Sequence, residues 1–378
     1  MTPIARRHLF GPGPTNPYPE ATEGLGRPLL GHLDPAFLEI MDETCDRLRT
    51  VWGTAENRTL PLSATGSAGM EAAFVNVIHP GDVVVVAVNG LFGQRMCEVA
   101  ERCGAEVVPV EHRWGSPVDP ERVVAAHPAP AVVAAVHAET STGVRSDVAA
   151  LGAAVREAGD ALLLVDAVTS IGGIEVRADE WGIDIGYAGT QKCLGVAPGL
   201  APFTISERAF ARRVERPRSW YLDLGLLGGY VGDASAAGAA GDARGRTPAR
   251  TYHHTAPVAM VASLHAALGR ILDEGLADVW ARHESAGRAL QDGLEALGLE
   301  LFADPGHRLP ELTTVRVPDG VDSAAVRRTL LERYDIEIGA GVGEHASTVW
   351  RIGLMGPNAA PDAVALVLSA LGEVLGRS

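Results

Sequence analysis

One lysine stands out among the residues that could do covalent chemistry. The 32 lysines and arginines of the 378-residue chain comprise a single lysine, Lys192, and 31 arginines. A guanidinium stays protonated, whereas a desolvated lysine amine can lose its proton and condense with a carbonyl group. The sequence therefore indicates that position 192 requires an amine; the alternative is a chance survivor of an arginine-rich composition.

A carboxylate stands at a matching place upstream. The apolar run 162–165 ends in Asp166, and the strand-like run 183–188 is followed three residues later by Gln191 and Lys192. Ligands bind at the ends of such strands in α/β sheets. A strand-end aspartate can keep a pyridine nitrogen protonated, and the protonated ring then accepts electrons. The pair predicts pyridoxal 5′-phosphate (PLP) as cofactor; a helix N-cap is the alternative for Asp166.

Two further segments could hold the phosphate and the ring of this cofactor. Residues 63–69 are small and polar and precede a predicted helix over 68–78, whose free N–H groups suit an anion. Phe92 follows the strand-like run 83–88 and could stack on one face of the ring, with Val168 on the other. An ordinary core aromatic is the alternative for Phe92.

Arg351 is the candidate for binding a substrate carboxylate. It lies in a strand-like segment near the C-terminus, and the planar fork of arginine matches a carboxylate with two hydrogen bonds. A surface ion pair is the alternative. His253 and His254 follow each other in the sequence, but they do not predict a metal site. Adjacent histidines rarely face one ion, and no third ligand is apparent.

The composition limits the partners. A formal net charge of −15 opposes binding to nucleic acid or to an anionic membrane surface, and no apolar run is long enough to span a bilayer. The four cysteines, Cys45, Cys97, Cys103 and Cys193, have no metal-binding spacing and suit a reducing compartment. No apolar segment typical of a signal peptide follows the N-terminal arginines. We expect a cytoplasmic protein.

Alternating patterns predict an α/β fold for the first two thirds of the chain. Short apolar strands, typical of a parallel sheet buried on both faces, are predicted at residues 83–88, 106–110, 131–137 and 161–166. Helices are predicted between them at residues 91–103 and 148–158. A smaller α+β domain is predicted from the later elements, at residues 277–297, 312–317, 336–339, 349–352 and 362–375.

These patterns divide the chain into an N-terminal arm (1–16), a large cofactor-binding domain (17–270) and a small C-terminal domain (271–378). The 39.5 kDa chain is long enough for two such domains. Residues 232–249 are rich in Gly and Ala and lack periodicity. They predict a mobile surface loop within the large domain.

Taken together, the motifs resemble the class V aminotransferases of PLP fold type I, and among them the alanine–glyoxylate (serine–pyruvate) aminotransferases. The segments that carry the resemblance are residues 11–14 (GPGP), 31–37 (GHLDPAF), 137–143 (HAETSTG), 165–170 (VDAVTS), 191–192 (QK), 252–255 (YHHT) and 350–356 (WRIGLMG). The resemblance implies a large domain with a mostly parallel seven-stranded sheet flanked by helices, a smaller α+β domain, and a homodimer with shared active sites.

The resemblance also implies a role for each matching residue. It assigns Lys192 to the imine with PLP, Asp166 to the pyridine nitrogen and Thr140 to the ring hydroxyl. It places Thr65, Gly66, Ser67 and Gln191 around the phosphate, which Tyr252 and Thr255 would reach from the neighbouring subunit. Arg351 would bind the substrate carboxylate, with the backbone near Gly13 lining the pocket. Phe92 departs from the pattern, in which the ring clamp is often tryptophan.

The implied activity is a two-step amino transfer from alanine or serine to glyoxylate or pyruvate. The ureidoglycine–glyoxylate aminotransferases share much of this pattern but tend to carry Gln in place of His32 and Asn in place of Tyr252. His32, which we place with the substrate-binding residues, therefore favours the alanine/serine group. The Gly/Ala-rich loop before Tyr252 leaves a further alternative open, namely an aminotransferase recruited to a specialised biosynthetic pathway.

Two other functions are disfavoured by the sequence. Cysteine desulfuration on the same fold requires a reactive thiol in the C-terminal region, but no cysteine follows Cys193. A binding or scaffolding protein without catalysis would not need its only lysine at the imine position.

Overall fold

The computed structural model describes residues 5–231 and 250–377, so the loop predicted at 232–249 lies outside the described residues. The strands are β1 (His8–Leu9), β2 (Arg58–Leu62), β3 (Val83–Val88), β4 (Glu106–Glu111), β5 (Val132–Val136), β6 (Ala138–Glu139), β7 (Val144–Arg145), β8 (Leu162–Asp166), β9 (Ile185–Tyr187), β10 (Ala201–Ile205), β11 (Leu312–Arg316), β12 (Ile336–Glu337), β13 (Gly339–Ala340) and β14 (Val349–Gly353).

The helices surround these strands. They are α1 (Pro19–Leu25), α2 (Pro35–Trp52), α3 (Gly66–Val77), α4 (Leu91–Arg102), α5 (Pro120–Ala125), α6 (Val148–Ala158), α7 (Ala178–Trp181), α8 (Glu207–Ala211), α9 (Leu224–Val231), α10 (Val258–Glu274), α11 (Leu276–Ala296), α12 (Ser323–Tyr334) and α13 (Pro361–Leu375). Within the described ranges, no helix combines the length and the apolar character needed to cross a bilayer.

The central sheet confirms the predicted α/β architecture. Its seven strands lie in the order β2-β10-β9-β8-β5-β3-β4. Only β10 runs antiparallel to its neighbours, and the other pairs are parallel. The middle strands β5 and β8 are buried throughout, because helices cover both faces and apolar side chains fill both sides. The carboxyl ends of β8 and β9 place Asp166 and the residues after β9 at one edge of the sheet.

Most predicted bounds agree with the structure to within one residue, but α3 and the strand predicted at 336–339 differ by more. Helix α3 begins at Gly66, two residues before the predicted start, because Thr65 takes the extended N-cap conformation and its carbonyl accepts the first hydrogen bonds of the helix. The strand predicted at 336–339 is two strands. β12 pairs in parallel with β1, whereas β13 pairs with β14, so the chain changes sheets at Ile338.

A second core forms around the three-stranded sheet β11-β14-β13. It contains Phe10 together with apolar side chains from α11, α12 and α13. The N-terminal segment is tied to this core, since the Gly353 N–H donates to the Phe10 carbonyl at 2.8 Å. Five residues further on, the Thr15 N–H donates to the Gln191 carbonyl at 3.0 Å. The arm therefore joins the second core to the neighbourhood of Lys192.

The domain boundaries given above stay a prediction. Helix α10 runs through residue 270 without a break, and its apolar side chains pack in the core of the central sheet.

Candidate active site

Two strand ends bring the predicted catalytic residues into one buried region. Asp166 ends β8 and is paired in register with Tyr187, the last residue of β9. Lys192 follows five residues later in a turn. Asp166 is 3% exposed and Lys192 is 8% exposed. Each influences the pKa of the other through charge. An amine and a carboxylate are therefore buried together in one site that solvent hardly reaches.

The Asp166 carboxylate is held by two donors. Its Oδ1 accepts the Val168 N–H at 2.8 Å, and its Oδ2 accepts the Tyr187 hydroxyl at 2.9 Å. Burial raises the pKa of Asp166 to about 6, and these two hydrogen bonds and the charge of Lys192 oppose that rise. The carboxyl is therefore mainly ionised at neutral pH, although it is almost completely buried.

The Lys192 amine is adjusted in the opposite direction. Burial lowers the pKa of Lys192 to about 8, and the nearby positive charge of Arg351 acts the same way. The Nζ atom donates to the carbonyl of Pro12. Gly13 has φ +105°, and a Cβ there would lie 2.7 Å from Nζ. The N-terminal segment therefore packs directly on an amine that is partly neutral at physiological pH.

Helix α3 presents its N-terminus to the same edge of the sheet. The N-cap Thr65 makes no capping hydrogen bond with its side chain, and Thr65 and Ser67 are exposed. A Cβ on Gly66 would lie 3.1 Å from Val168 Cγ2, so the first turn packs beside the residues after β8. The buried Oε1 of Gln191 has no hydrogen-bond partner among the described residues. The free N–H groups of this first turn suit an anion bound at the helix end, whereas the Gln191 Oε1 is an acceptor and requires a donor.

Phe92 is positioned by a residue that sequence reasoning missed. It is the second residue of α4, whose N-cap is Gly90. The buried carboxylate of Glu139 supplies the cap, accepting the Phe92 N–H at 3.1 Å and the Ser141 N–H at 2.9 Å. Burial raises the pKa of Glu139 to about 7, and its hydrogen bonds with Ser141 oppose the rise. Glu139 lies within a recognised motif, but only its contacts indicate this task.

Arg351 links the second core to the segment next to the site. Its Nε donates to the Ala340 carbonyl at 2.7 Å and its Nη1 to the Thr140 carbonyl at 3.3 Å. Burial lowers the pKa of Arg351. Across residues 5–231 and 250–377 it forms no ion pair with a carboxylate, in contrast to many of the other arginines. A half-buried guanidinium that forms no ion pair is suited to binding a carboxylate.

The last three predicted residues, His32, Tyr252 and Thr255, are half-buried or exposed. His32 and Tyr252 have ring centroids 5.5 Å apart, and Tyr252 is 58% exposed. Thr255 is also exposed and lines a surface cleft of about 430 Å³ together with residues 29–32. In the described part of the chain, neither His32 nor Tyr252 forms a hydrogen bond with Lys192 or Asp166.

The histidines next to Tyr252 are partners of each other. Their Nδ1 atoms lie 2.8 Å apart, and His254 Nε2 lies 2.7 Å from Ser63 Oγ. The described residues contain no group of three or more His, Cys, Asp or Glu side chains that could hold a metal ion.

Comparisons with known proteins agree with this geometry. The family described as aminotransferase class V matches residues 17–360. An alanine–glyoxylate aminotransferase of Drosophila melanogaster is 38% identical over 99% of this chain and 94% of that protein. An (S)-ureidoglycine–glyoxylate transaminase of Bacillus subtilis is also 38% identical, over 100% and 92%. The crystal structure of an alanine–glyoxylate aminotransferase from Nostoc sp. has a TM-score of 0.92 at 44% identity, covering 99% and 96%.

The chain therefore belongs to the class V aminotransferases. It is an enzyme that uses PLP, as its family and relatives imply. The residues of the site fit this cofactor. A buried amine suits its aldehyde, a buried carboxylate suits its ring nitrogen, and the free N–H groups at the N-terminus of α3 suit its phosphate.

Gly13→Ala tests the packing of the N-terminal segment on Lys192. The new methyl group would lie 2.7 Å from Lys192 Nζ, on a backbone with φ +105°. Because displacement of a reacting group by about 1 Å can cost on the order of 100-fold in rate, we expect kcat/KM to fall by about that factor. Steady-state kinetics measures this.

Gly11→Ala is the matched control, since a Cβ at Gly11 meets its nearest atom at 3.7 Å, an ordinary contact distance. We expect it to keep activity within about twofold, because the added methyl group displaces no neighbouring atom. Equal losses in the two variants would contradict the assigned contact.

Proposed function

We propose that this enzyme transfers an amino group from L-alanine or L-serine to glyoxylate or pyruvate by a ping-pong mechanism that depends on Lys192. The observation that carries the proposal is the burial of Lys192 and Asp166 together at one sheet edge, near an Arg351 guanidinium that forms no ion pair among the described residues. The names of the Drosophila and Nostoc relatives support alanine and glyoxylate as the substrate pair.

In this proposal Lys192 carries the main chemical role. When bound, PLP supplies an aldehyde that takes up the amino group and a ring that accepts the electrons left when the substrate Cα loses its proton. Lys192 would hold PLP through its amine and, once freed by the amino donor, would move a proton between the substrate Cα and C4′ of the cofactor. Its lowered pKa suits this work, because the neutral amine is the base.

The other residues hold the reactants. Asp166 keeps the pyridine nitrogen protonated, Thr140 contacts the ring hydroxyl, and Phe92 and Val168 enclose the ring. The phosphate is bound by Thr65, Gly66, Ser67 and Gln191. Arg351 binds the substrate carboxylate with both arms of its guanidinium, while His32 and the backbone at Gly13 line the substrate pocket.

We further propose a homodimer in which Tyr252 and Thr255 complete the phosphate site of the other subunit. Both residues are exposed in the single chain. Large apolar side chains beside them are exposed as well: Leu29, which lines the same cleft as Thr255, at 76%, and Trp220, whose ring stacks on that of His253, at 62%. A surface of this kind favours burial against a second copy.

The four cysteines are free, which supports a cytoplasmic location.

Ureidoglycine remains the second candidate donor, because the Bacillus subtilis relative is as similar in sequence as the Drosophila one. His32 and Tyr252 favour the alanine/serine group. Cysteine desulfuration gains no support, since Cys193 is fully buried and burial raises its thiol pKa well above the ordinary value.

The pH dependence of cofactor capture tests the state of Lys192. Only the neutral amine attacks the aldehyde, so the rate at which PLP combines with cofactor-free protein should rise with pH and level off above about 8. Arg351→Gln removes a positive charge that lowers this pKa, so the midpoint should move upward. Stopped-flow absorbance measures both. A wild-type midpoint of about 10, as in an exposed lysine, would contradict the burial account.

A donor panel tests the substrates. L-alanine, L-serine, glycine and ureidoglycine are each offered with glyoxylate and with pyruvate. We expect alanine or serine with glyoxylate to give the highest kcat/KM, by about tenfold or more over glycine, because even one missing methyl group costs about that factor. Lys192→Ala should show no turnover with any pair. Preference for ureidoglycine would replace the main proposal by the second candidate.

A further inference from the structure

Tyr187 contacts the catalytic region without a role in the scheme above. It ends β9, and its register partner on β8 is Asp166. Cross-strand partners project from the same face of a sheet. The Tyr187 hydroxyl accordingly donates to Asp166 Oδ2 at 2.9 Å, and the Ala167 N–H donates back to the Tyr187 carbonyl at 3.0 Å. The phenol and the carboxylate are thus fixed to each other by both side chain and backbone.

The ring of Tyr187 has little freedom to move. Its side chain is 0% exposed. A Cβ on Gly69 of α3 would lie 3.1 Å from Tyr187 Cβ, so the helix that presents the phosphate site packs directly against it. Burial raises the pKa of Tyr187 well above its ordinary value, and the charge of Asp166 adds to the rise. The phenol is therefore a fixed donor that stays protonated.

The two donors engage different oxygens of Asp166, Oδ1 through the Val168 N–H and Oδ2 through Tyr187. A buried carboxylate stays charged only where hydrogen bonds or opposite charges replace water. The Val168 donor is a backbone N–H, whereas the second donor exists only because residue 187 is a tyrosine. Removing it would leave Oδ2 without that donor in a site that water hardly reaches.

We propose that Tyr187 is a positioning residue for Asp166. Its hydroxyl keeps the carboxylate ionised and fixes the direction in which it meets the pyridine nitrogen of the cofactor. The inference rests on the proposed role of Asp166. It predicts that loss of the Tyr187 hydroxyl weakens the interaction between Asp166 and the pyridine nitrogen. The other contacts of the cofactor and the packing of the sheet should not change.

The test is Tyr187→Phe with two ligands, PLP and an analogue in which a C–H group replaces the pyridine nitrogen. Dissociation constants are measured on cofactor-free protein by absorbance titration. Because a hydrogen bond to a charged group contributes about tenfold or more in an equilibrium constant, PLP should bind about tenfold more weakly to the variant. Binding of the analogue should change by less than about twofold, since it offers Asp166 no partner.

Tyr18→Phe is the matched control. Tyr18 is 4% exposed, and its hydroxyl accepts from Arg282 Nη2 at 3.1 Å. It therefore loses a buried phenol hydroxyl bonded to a charged group elsewhere, and both ligands should bind as they do to wild type. Thermal unfolding of both variants gives the cost in stability, which should be similar. If Tyr18→Phe discriminates between the ligands as strongly as Tyr187→Phe, the inference is wrong.

The pH profile provides a readout that a purely structural role would not move. Loss of the donor raises the pKa of Asp166, so PLP affinity should begin to fall with decreasing pH about one unit earlier in Tyr187→Phe than in wild type. Lys192, Arg95 and Glu139 also act on this group through charge, but they are the same in both proteins. Superimposable profiles would overturn the inference.

A double-variant cycle measures the effect of Tyr187→Phe on PLP binding in a background where residue 166 carries no charge. In an Asp166→Asn background, adding Tyr187→Phe should leave the PLP dissociation constant unchanged within about twofold, because there is no charged carboxylate left to support. An additional tenfold loss would assign Tyr187 to packing alone. The proposed function fails differently. If wild-type protein captures no PLP on Lys192, the scheme for the site falls before Tyr187 is tested.

Discussion

The removal of one amine from water is the constraint on which this structure depends. Lys192 is 8% exposed, and its pKa of about 8 follows chiefly from that burial. An exposed lysine would be protonated and unreactive at neutral pH, whereas a buried one without a charge partner would be expensive to fold. Asp166 in the same region, itself held by two donors, makes the burial tolerable and gives the site its second ionised group.

The site is assembled from segments far apart in sequence because the sheet delivers their ends to one edge. β8 supplies Asp166 and β9 leads to Lys192, while α3 contributes its N-terminus beside Val168. The second core adds two pieces from outside the sheet. β14 carries Arg351 to the Thr140 carbonyl, and the N-terminal segment lays Gly13 on Lys192. Both cores must therefore be correctly packed against each other before the site exists.

Much of this arrangement could be predicted from residue patterns. The strand at Val83–Val88 and the helix at Val148–Ala158 have the predicted bounds, because apolar runs and helical periodicity report burial directly. Side-chain hydrogen bonds across the fold leave no such pattern. Glu139 capping α4 and Tyr187 donating to Asp166 became visible only in three dimensions. The split at Ile338 was missed for the same reason, since β12 and β13 pair with strands distant in sequence.

Chemical trapping of the cofactor on Lys192 is the most direct test of the buried amine. The protein is purified with PLP, reduced with borohydride, digested, and its peptides are mapped by mass spectrometry. A stable adduct on the ε-amino group of Lys192, in a peptide that also contains Cys193, is the predicted result. Because the chain has no other lysine, an adduct at any other group, or no adduct under conditions where the cofactor is bound, would contradict it.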